Sequence, residues 1–373
     1  MALAWLFIIN TVAGTLSAYG WHRQRLTHER KLFGQAIDRQ ALNLWAYLIG
    51  GVLGGFAISV VAIGLGLRLP NGVLVWLSAL TLLALALAGL GFSPWWLSFA
   101  GLFASGIGPL LPWSWAQAPA AAGWAWRYLA LVALVWAVNG GLLRLIDPPS
   151  AVPTVVSGNR GADIAQYTHR QFYWLPLVLP VPGPWLAALP WWPALHVGGT
   201  SFALTLLPLI IGAGLKTRRT LPSHVVRRWA WQYWGAAGAL VILAGLAWGW
   251  PALAIGWLAA AAGVGVVLGG VNAMSLYLGN NYISRTDLGV RLIAVQPGTP
   301  AAKMHLQAGD IVLTCNGRAV RDAASLYAAI QTQPTYCRLK VQRFDGALEL
   351  TETAIFQGAP HELGMITFTE EPQ

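Results

Sequence analysis

Catalysis needs nucleophiles, bases or metal ligands at workable spacings, and this sequence offers few. In "THERKL", His28-Glu29 starts a His-Glu-x-x-His pattern, but the second histidine position holds Leu32. The two-histidine face of a zinc metalloprotease helix is therefore missing, and His28 reads as a solvated loop residue. Ser105 in "FASGIGP" would act as a nucleophile only with a histidine from a later span, and His196 is the one candidate. The ordinary reading of Ser105 and Gly106 is small residues at a helix–helix contact. Cys315 and Cys337 each fall in an alternating apolar run and read as buried core thiols. Two cysteines cannot supply the four ligands of a structural zinc site. The acidic residues before position 285 are Glu29, Asp38, Asp147 and Asp163, all expected in loops. A proton relay built on carboxylates within the spans is thus not expected. No catalytic residue, metal or cofactor is expected.

The composition explains what surrounds these residues. Of 373 residues, 56% are hydrophobic and 10% charged, against about 25% charged in an ordinary soluble domain. Residues 1–284 carry 15 Lys+Arg and 4 Asp+Glu, and all 21 Trp lie at or before Trp257. Residues 285–373 carry 8 basic and 9 acidic residues. The first region reads as an α-helical polytopic membrane domain, the second as a compact soluble one. The apolar stretch at the N-terminus reads as a first span, not a cleaved signal. About nine transmembrane helices are expected, near Ala4–Gly20, Leu42–Leu67, Val73–Gly91, Leu97–Leu111, Trp124–Leu143, Phe172–Trp192, Val197–Leu215, Tyr233–Trp248 and Leu253–Leu278. The Pro-rich run "FYWLPLVLPVPGPWLAALPWWP" within 172–193 is expected to be kinked or re-entrant. Paired tryptophans such as Trp95/Trp96, Trp191/Trp192, Trp229/Trp231 and Trp248/Trp250 mark interface belts. Basic loops around Arg23–Arg39, Arg144–Arg170 and Lys216–Arg228 are expected to be cytoplasmic, with the N-terminus outside. The C-terminal domain then faces the cytoplasm, which suits two reduced cysteines. Gly263, Gly265, Gly269 and Gly270 allow close helix packing, within one chain or in a homo-oligomer.

The most specific stretch is "LGVRLIAVQPGTPAAKMHLQAGDIVLTCNGRAV". Val290–Val295 reads as a β-branched strand and "QPGTP" as a turn. A short helix opened by Pro300 follows, then a strand over Ile311–Cys315. Asn316-Gly317 is a hairpin turn. "RDAASLYAAIQ" is helical, with Asp322 as N-cap, and two alternating strands meet at Asp345-Gly346. Pro297-Gly298-Thr299-Pro300-Ala301, Leu306-Gln307-Ala308-Gly309-Asp310-Ile311 and Asn316-Gly317 resemble a PDZ domain of bacterial type. The resemblance covers residues 285–370 and implies peptide binding by strand addition between a strand and a helix. The groove-forming loop and strand have no room before Leu288. They are expected at the other end of the chain, in a circularly permuted order. By that mapping Leu363, Gly364 and Met365 present backbone amides, Ile366 and Phe368 belong to the receiving strand, and Ser325 faces an upstream peptide residue. The plainer reading of Met365–Phe368 is a closing edge strand.

A polytopic region spanning residues 1–284 followed by a PDZ domain over 285–373, together with "RLTHERKLFGQAID" and "TYCRLKVQRFDGALELTETAIF…HELGMITF", resembles the MinJ-type proteins of Gram-positive bacteria. The resemblance implies a membrane-bound, non-enzymatic scaffold of cell division, enriched at septum and poles. It implies that the scaffold links a DivIVA-like protein to MinD-like and MinC-like partners. No nucleic-acid partner is expected. A substrate-presenting adaptor for a membrane protease shares every one of these features. A transporter or intramembrane enzyme fits less well, for want of carboxylates or metal ligands in the spans.

Overall fold

The computed structural model describes residues 2–33, 42–113, 117, 122–145, 152–158, 162–182, 194–197, 200–277, 283–355 and 363–368. The N-terminal region is built from helices α1 (Ala2–Phe33), α2 (Leu42–Gly64), α3 (Asn71–Ala86), α4 (Ala100–Gly106), α5 (Ala125–Leu145), α6 (Pro222–Gly249) and α7 (Ala254–Tyr277). Among the described residues, four helical stretches are long and apolar enough to cross a membrane: Tyr47–Gly64, Ala125–Leu145, Pro222–Gly249 and Pro251–Leu276. Helix α1 runs through the first basic segment, which was expected to be a loop. Glu29 is buried there against Arg25, one helical turn away at 3.3 Å, and His28 is exposed on the helix. The expected span Leu97–Leu111 is broken into a 3₁₀ turn at Pro94–Phe99, the short α4 and a second 3₁₀ turn. The Ser105 hydroxyl donates to the Gly101 carbonyl within α4 at 3.0 Å.

The largest correction concerns the spans expected at Phe172–Trp192 and Val197–Leu215. Their described residues are not helices but strands: β2 (Asp163–Pro182) and β4 (Thr200–Thr217), joined along sixteen paired positions from Tyr167↔Thr217 to Pro182↔Phe202. Trp191 and Trp192 lie outside the described residues. Strands β1 (Val152–Ser157) and β3 (Ala194–Val197) complete a sheet of order β1-β2-β4-β3. Proline spacing decides the outcome. Pro176 and Pro180 would each remove a helical hydrogen bond and clash with the preceding turn, and each pushes its predecessor toward extended backbone. On the strand, Tyr167, His169, Gln171, Tyr173, Leu175, Leu177, Leu179 and Val181 form one buried face.

A strand in apolar surroundings must satisfy every backbone polar group. Val178 turns its N–H away from β4, donating it to Ser59 Oγ of α2 at 2.8 Å. Backbone groups alternate along a strand, so Pro176 and Pro180 face the same way, and on that edge they have no N–H to satisfy. Pro208 of β4 lies directly opposite Pro176, so neither interrupts the ladder. Helix α2 covers this edge with small residues. A Cβ on Gly51 would strike the Trp174 carbonyl oxygen, and one on Gly55 would lie 2.6 Å from the Pro176 oxygen. On the far edge of β4, Gly214 and Phe92 exchange both backbone bonds, at 2.7 and 2.8 Å. Aromatic contacts close the faces: Phe172 stacks on Trp21 of α1 at 4.3 Å, and the Tyr173 hydroxyl donates to the Leu142 carbonyl of α5. Ser93, Tyr233 of α6 and Asn272 of α7 form a buried hydrogen-bonded group. Gly265 and Gly269 of α7 pack within the chain, on Ser98 and Trp95.

The C-terminal region holds β5 (Val290–Val295), α8 (Pro300–Lys303), β6 (Ile311–Cys315), β7 (Arg318–Ala319), α9 (Ala323–Gln331), β8 (Tyr336–Gln342), β9 (Leu348–Ala354) and β10 (Met365–Thr367). Its sheet runs β10-β5-β6-β8-β9, with β7 on β6. Val290, Leu292, Val312, Leu326, Ile330, Leu339 and Val341 share its core with both cysteines, which are free and fully buried with Sγ atoms 3.8 Å apart. This region is docked on the hairpin base. Ala165 N–H donates to Ile283 O at 3.0 Å, Arg285 N–H to Asp163 O at 2.9 Å, and the Tyr167 hydroxyl to Ile293 O at 2.6 Å. The linker thus extends the hairpin's own sheet.

The packing of α2 on β2 makes a direct prediction. Gly55→Val forces a branched side chain against a backbone oxygen and should destabilise the protein by about 1–3 kcal/mol or more. Gly64→Ala, with open space around its Cβ position, should leave the thermal midpoint of purified protein unchanged. Equal midpoints for the two variants would contradict the packing.

Candidate peptide-binding groove

Strand β10 is three residues long and sits at the edge of the sheet, against β5. Gln296 N–H donates to Gly364 O at 2.8 Å, which makes Met365↔Val295 a non-hydrogen-bonded pair. Met365 therefore turns its N–H and C=O away from β5, as an edge available for strand addition requires. Leu363 and Gly364 precede it with φ of 55° and 83°. A leucine in the left-handed region is uncommon, and such outliers cluster at ligand clamps. Two residues in this conformation turn the chain sharply at the start of the strand.

The turn motif that marked the domain in the sequence holds this corner. Ala301 N–H donates to Leu363 O at 3.0 Å, and Thr299 presses against Gly364, leaving no room for a Cβ. The Thr299 hydroxyl in turn donates to Gln296 O at 2.6 Å. Thus "QPGTPA" and "LGM", more than sixty residues apart, form one structural unit. Nothing in the spacing of either motif alone signals that contact.

The expected site residues divide by the direction of their side chains. Leu363 and Met365 point into the domain core with Leu326, Ala329 and Ile330 of α9. Strand alternation turns Ile366 to the other face, and the register shifts after it, between Ile366 and Thr367. There Ile366 and Phe368 pack on a separate cluster made with Ala165 and Tyr167 of β2, Ile283 and Ile293. Ser325 lies in the first turn of α9, in a reciprocal cap with Asp322. Ser325 N–H donates to Asp322 Oδ1 at 2.7 Å, and Asp322 N–H donates to Ser325 Oγ at 3.1 Å. The backbone bond from Ser325 holds the Asp322 carboxyl below the usual carboxylate range. His361 and Glu362 lie outside the described residues. Tyr167 is the residue that sequence reasoning missed, because its segment read only as a basic loop.

Comparison with known proteins agrees with a PDZ domain in the C-terminal region. Residues 292–343 match the PDZ domain family. The chain is 38% identical over 349 residues to the probable cell division topological determinant MinJ of Lacticaseibacillus paracasei, covering 93% of this chain and 92% of that one. It is 29% identical over 382 residues to the cell division topological determinant MinJ of Bacillus subtilis (strain 168), covering 98% and 91%. A shorter similarity, 36% over 64 residues, joins it to the periplasmic serine endoprotease DegP of Escherichia coli (strain K12), over 17% of this chain and 14% of that one. These relatives are named as topological determinants, apart from the endoprotease, which matches a small stretch of the chain. With a PDZ domain carried by an apolar helical region and likeness along nearly its whole length, the chain belongs to the MinJ family of cell division topological determinants.

Proposed function

We propose that this chain is a membrane-anchored, non-enzymatic scaffold that recruits proteins by their C-terminal ends, in the selection of the division site. The observation that carries the reading is the corner Leu363–Gly364–Met365, where left-handed backbone leads into an edge strand whose outward groups are free of β5. In this reading the amides of Leu363, Gly364 and Met365 receive a terminal carboxylate. The peptide adds to β10 as an antiparallel strand, and α9, entered at Ser325, forms the opposite wall. The four long apolar helices anchor the chain, and the groove and basic segments face the cytoplasm. DivIVA-like and MinD-like proteins are the partners this reading assigns, by way of the family.

A second reading comes from the similarity to DegP in the PDZ region. There the groove would deliver chain ends to a membrane protease. Loss of the protein would then stabilise membrane substrates and leave septum placement unchanged, whereas the scaffold reading requires misplaced septa.

Two outcomes test the scaffold reading. Short peptides ending in Val, Leu, Ile or Phe should bind the full-length protein. Amidating their C-termini should weaken binding about tenfold or more, as expected for losing a charge-assisted hydrogen bond of about 1.5–3 kcal/mol. Equal titration of both forms would remove the carboxylate corner from the mechanism. A fluorescent protein fused to the C-terminus should concentrate at septa and poles. Uniform membrane fluorescence would count against a division scaffold, and a fluorophore that matures only in cytoplasm would stay dark if the domain faced outward.

A further inference from the structure

The PDZ sheet has two faces, and strand register assigns side chains to each. Val312, Leu339 and Val341 face the core. On the opposite face, the pairings Arg291↔Ile311, Ile311↔Gln342, Gln342↔Leu348 and Lys340↔Leu350 run from β5 across to β9. One end of this face is covered: Ile293, Ile366 and Phe368 pack under Ala165, Tyr167 and Ile283. Among the described residues, the other end is exposed. Leu348 and Leu350 are each 61% exposed on the edge strand β9, and Phe344 at the β8–β9 turn is 58% exposed. The Phe344 ring lies against Gly309, and neighbouring Ala308 packs on the covered cluster. The exposed apolar end therefore continues the docking interface.

What lies beyond that interface follows from the anchor. Leu221, just ahead of α6, packs on the same cluster, amid the basic residues Lys216, Arg218, Arg219, Arg227 and Arg228. Helix α6 exposes Trp231 and Trp248, about 26 Å apart along its axis, close to the roughly 30 Å of a hydrocarbon core. Exposed indoles settle at headgroup level, which puts Leu221 about 15 Å outward of the Trp231 belt by helical rise. A domain of this size has a radius of gyration of about 12 Å. Docked at that height, it reaches the headgroups.

We propose that Phe344, Leu348 and Leu350, rimmed by Lys340 and Arg338, rest on the bilayer surface on the basic side of the anchor. Apolar side chains enter the headgroup boundary, and cations at the rim meet phosphates. Arg338 is also within 3.9 Å of Glu352, and Asp345 at the turn accepts the Ala347 N–H. The contact is thus mainly apolar and should not require anionic lipid. Hairpin base on one side and lipid on the other would fix the domain's tilt.

Full-length protein, one chain per phosphatidylcholine nanodisc, tests this by spin labelling. Nitroxides at Phe344→Cys and Leu350→Cys are compared with one at the exposed Arg318→Cys; the native cysteines are buried. The ratio of oxygen to nickel-chelate accessibility should be several-fold higher at 344 and 350 than at 318. Adding Leu348→Glu and Leu350→Glu, both at exposed positions, should return the label at 344 to the control ratio with an unchanged thermal midpoint. Equal ratios at all three sites in single-chain discs would overturn the proposal. Protection seen only with two chains per disc would also overturn it, by giving the face to a second copy.

Discussion

The fold depends on satisfying the backbone of a β-hairpin buried among helices. A peptide group left unpaired in apolar surroundings costs several kcal/mol, and β2 and β4 expose an edge on each side of their shared ladder. Three local features lower that cost. Prolines at 176 and 180 take N–H groups off the edge of β2. Ser59 accepts the one at Val178. Phe92 pairs with Gly214 on the edge of β4. Gly51 and Gly55 complete the arrangement by letting α2 lie directly on the strand's carbonyls. Without them, α2 would stand off and Ser59 would miss its donor.

The same hairpin carries the PDZ domain. Its base leaves the helices as a short sheet, takes the linker at Ile283–Arg285 as an added strand, and receives the PDZ domain through Tyr167. Strand β10 sits where the two regions meet. Met365 belongs to the domain core, whereas Ile366 and Phe368 belong to the docking cluster. A peptide adding to β10 would therefore pair with a strand already fixed on both faces. Such preorganisation lowers the ordering cost of binding, and it ties the direction of the groove to the anchor.

The sequence revealed the PDZ elements well, because Gly298, Gly309 and Asn316-Gly317 occupy backbone conformations that few other residues tolerate. It also pointed to the tail, through a Leu-Gly step where a strand was needed. It misled at 172–215, where apolar composition satisfies a span criterion in either secondary structure. The informative signal was Pro176 and Pro180, four residues apart, which suit one strand edge and break a helix, with Pro208 paired opposite Pro176. Helix α1 runs past its apolar stretch, where Glu29 and Arg25 pair one turn apart, a contact that charge counting reads as loop. The docking role of Tyr167 was not legible at all, since it depends on a partner more than a hundred residues away.

The central claim is that residues 172–182 and 202–212 pair as antiparallel strands inside the helical region. Cross-strand disulfide trapping in native membranes addresses it directly. Val178 and Leu206 face each other in a non-hydrogen-bonded pair, a geometry with Cα atoms about 4.5 Å apart. Val178→Cys with Leu206→Cys should oxidise rapidly under copper phenanthroline, while Val178→Cys with Leu204→Cys should not. Efficient trapping of the offset pair, or of positions repeating at helical intervals, would contradict the hairpin.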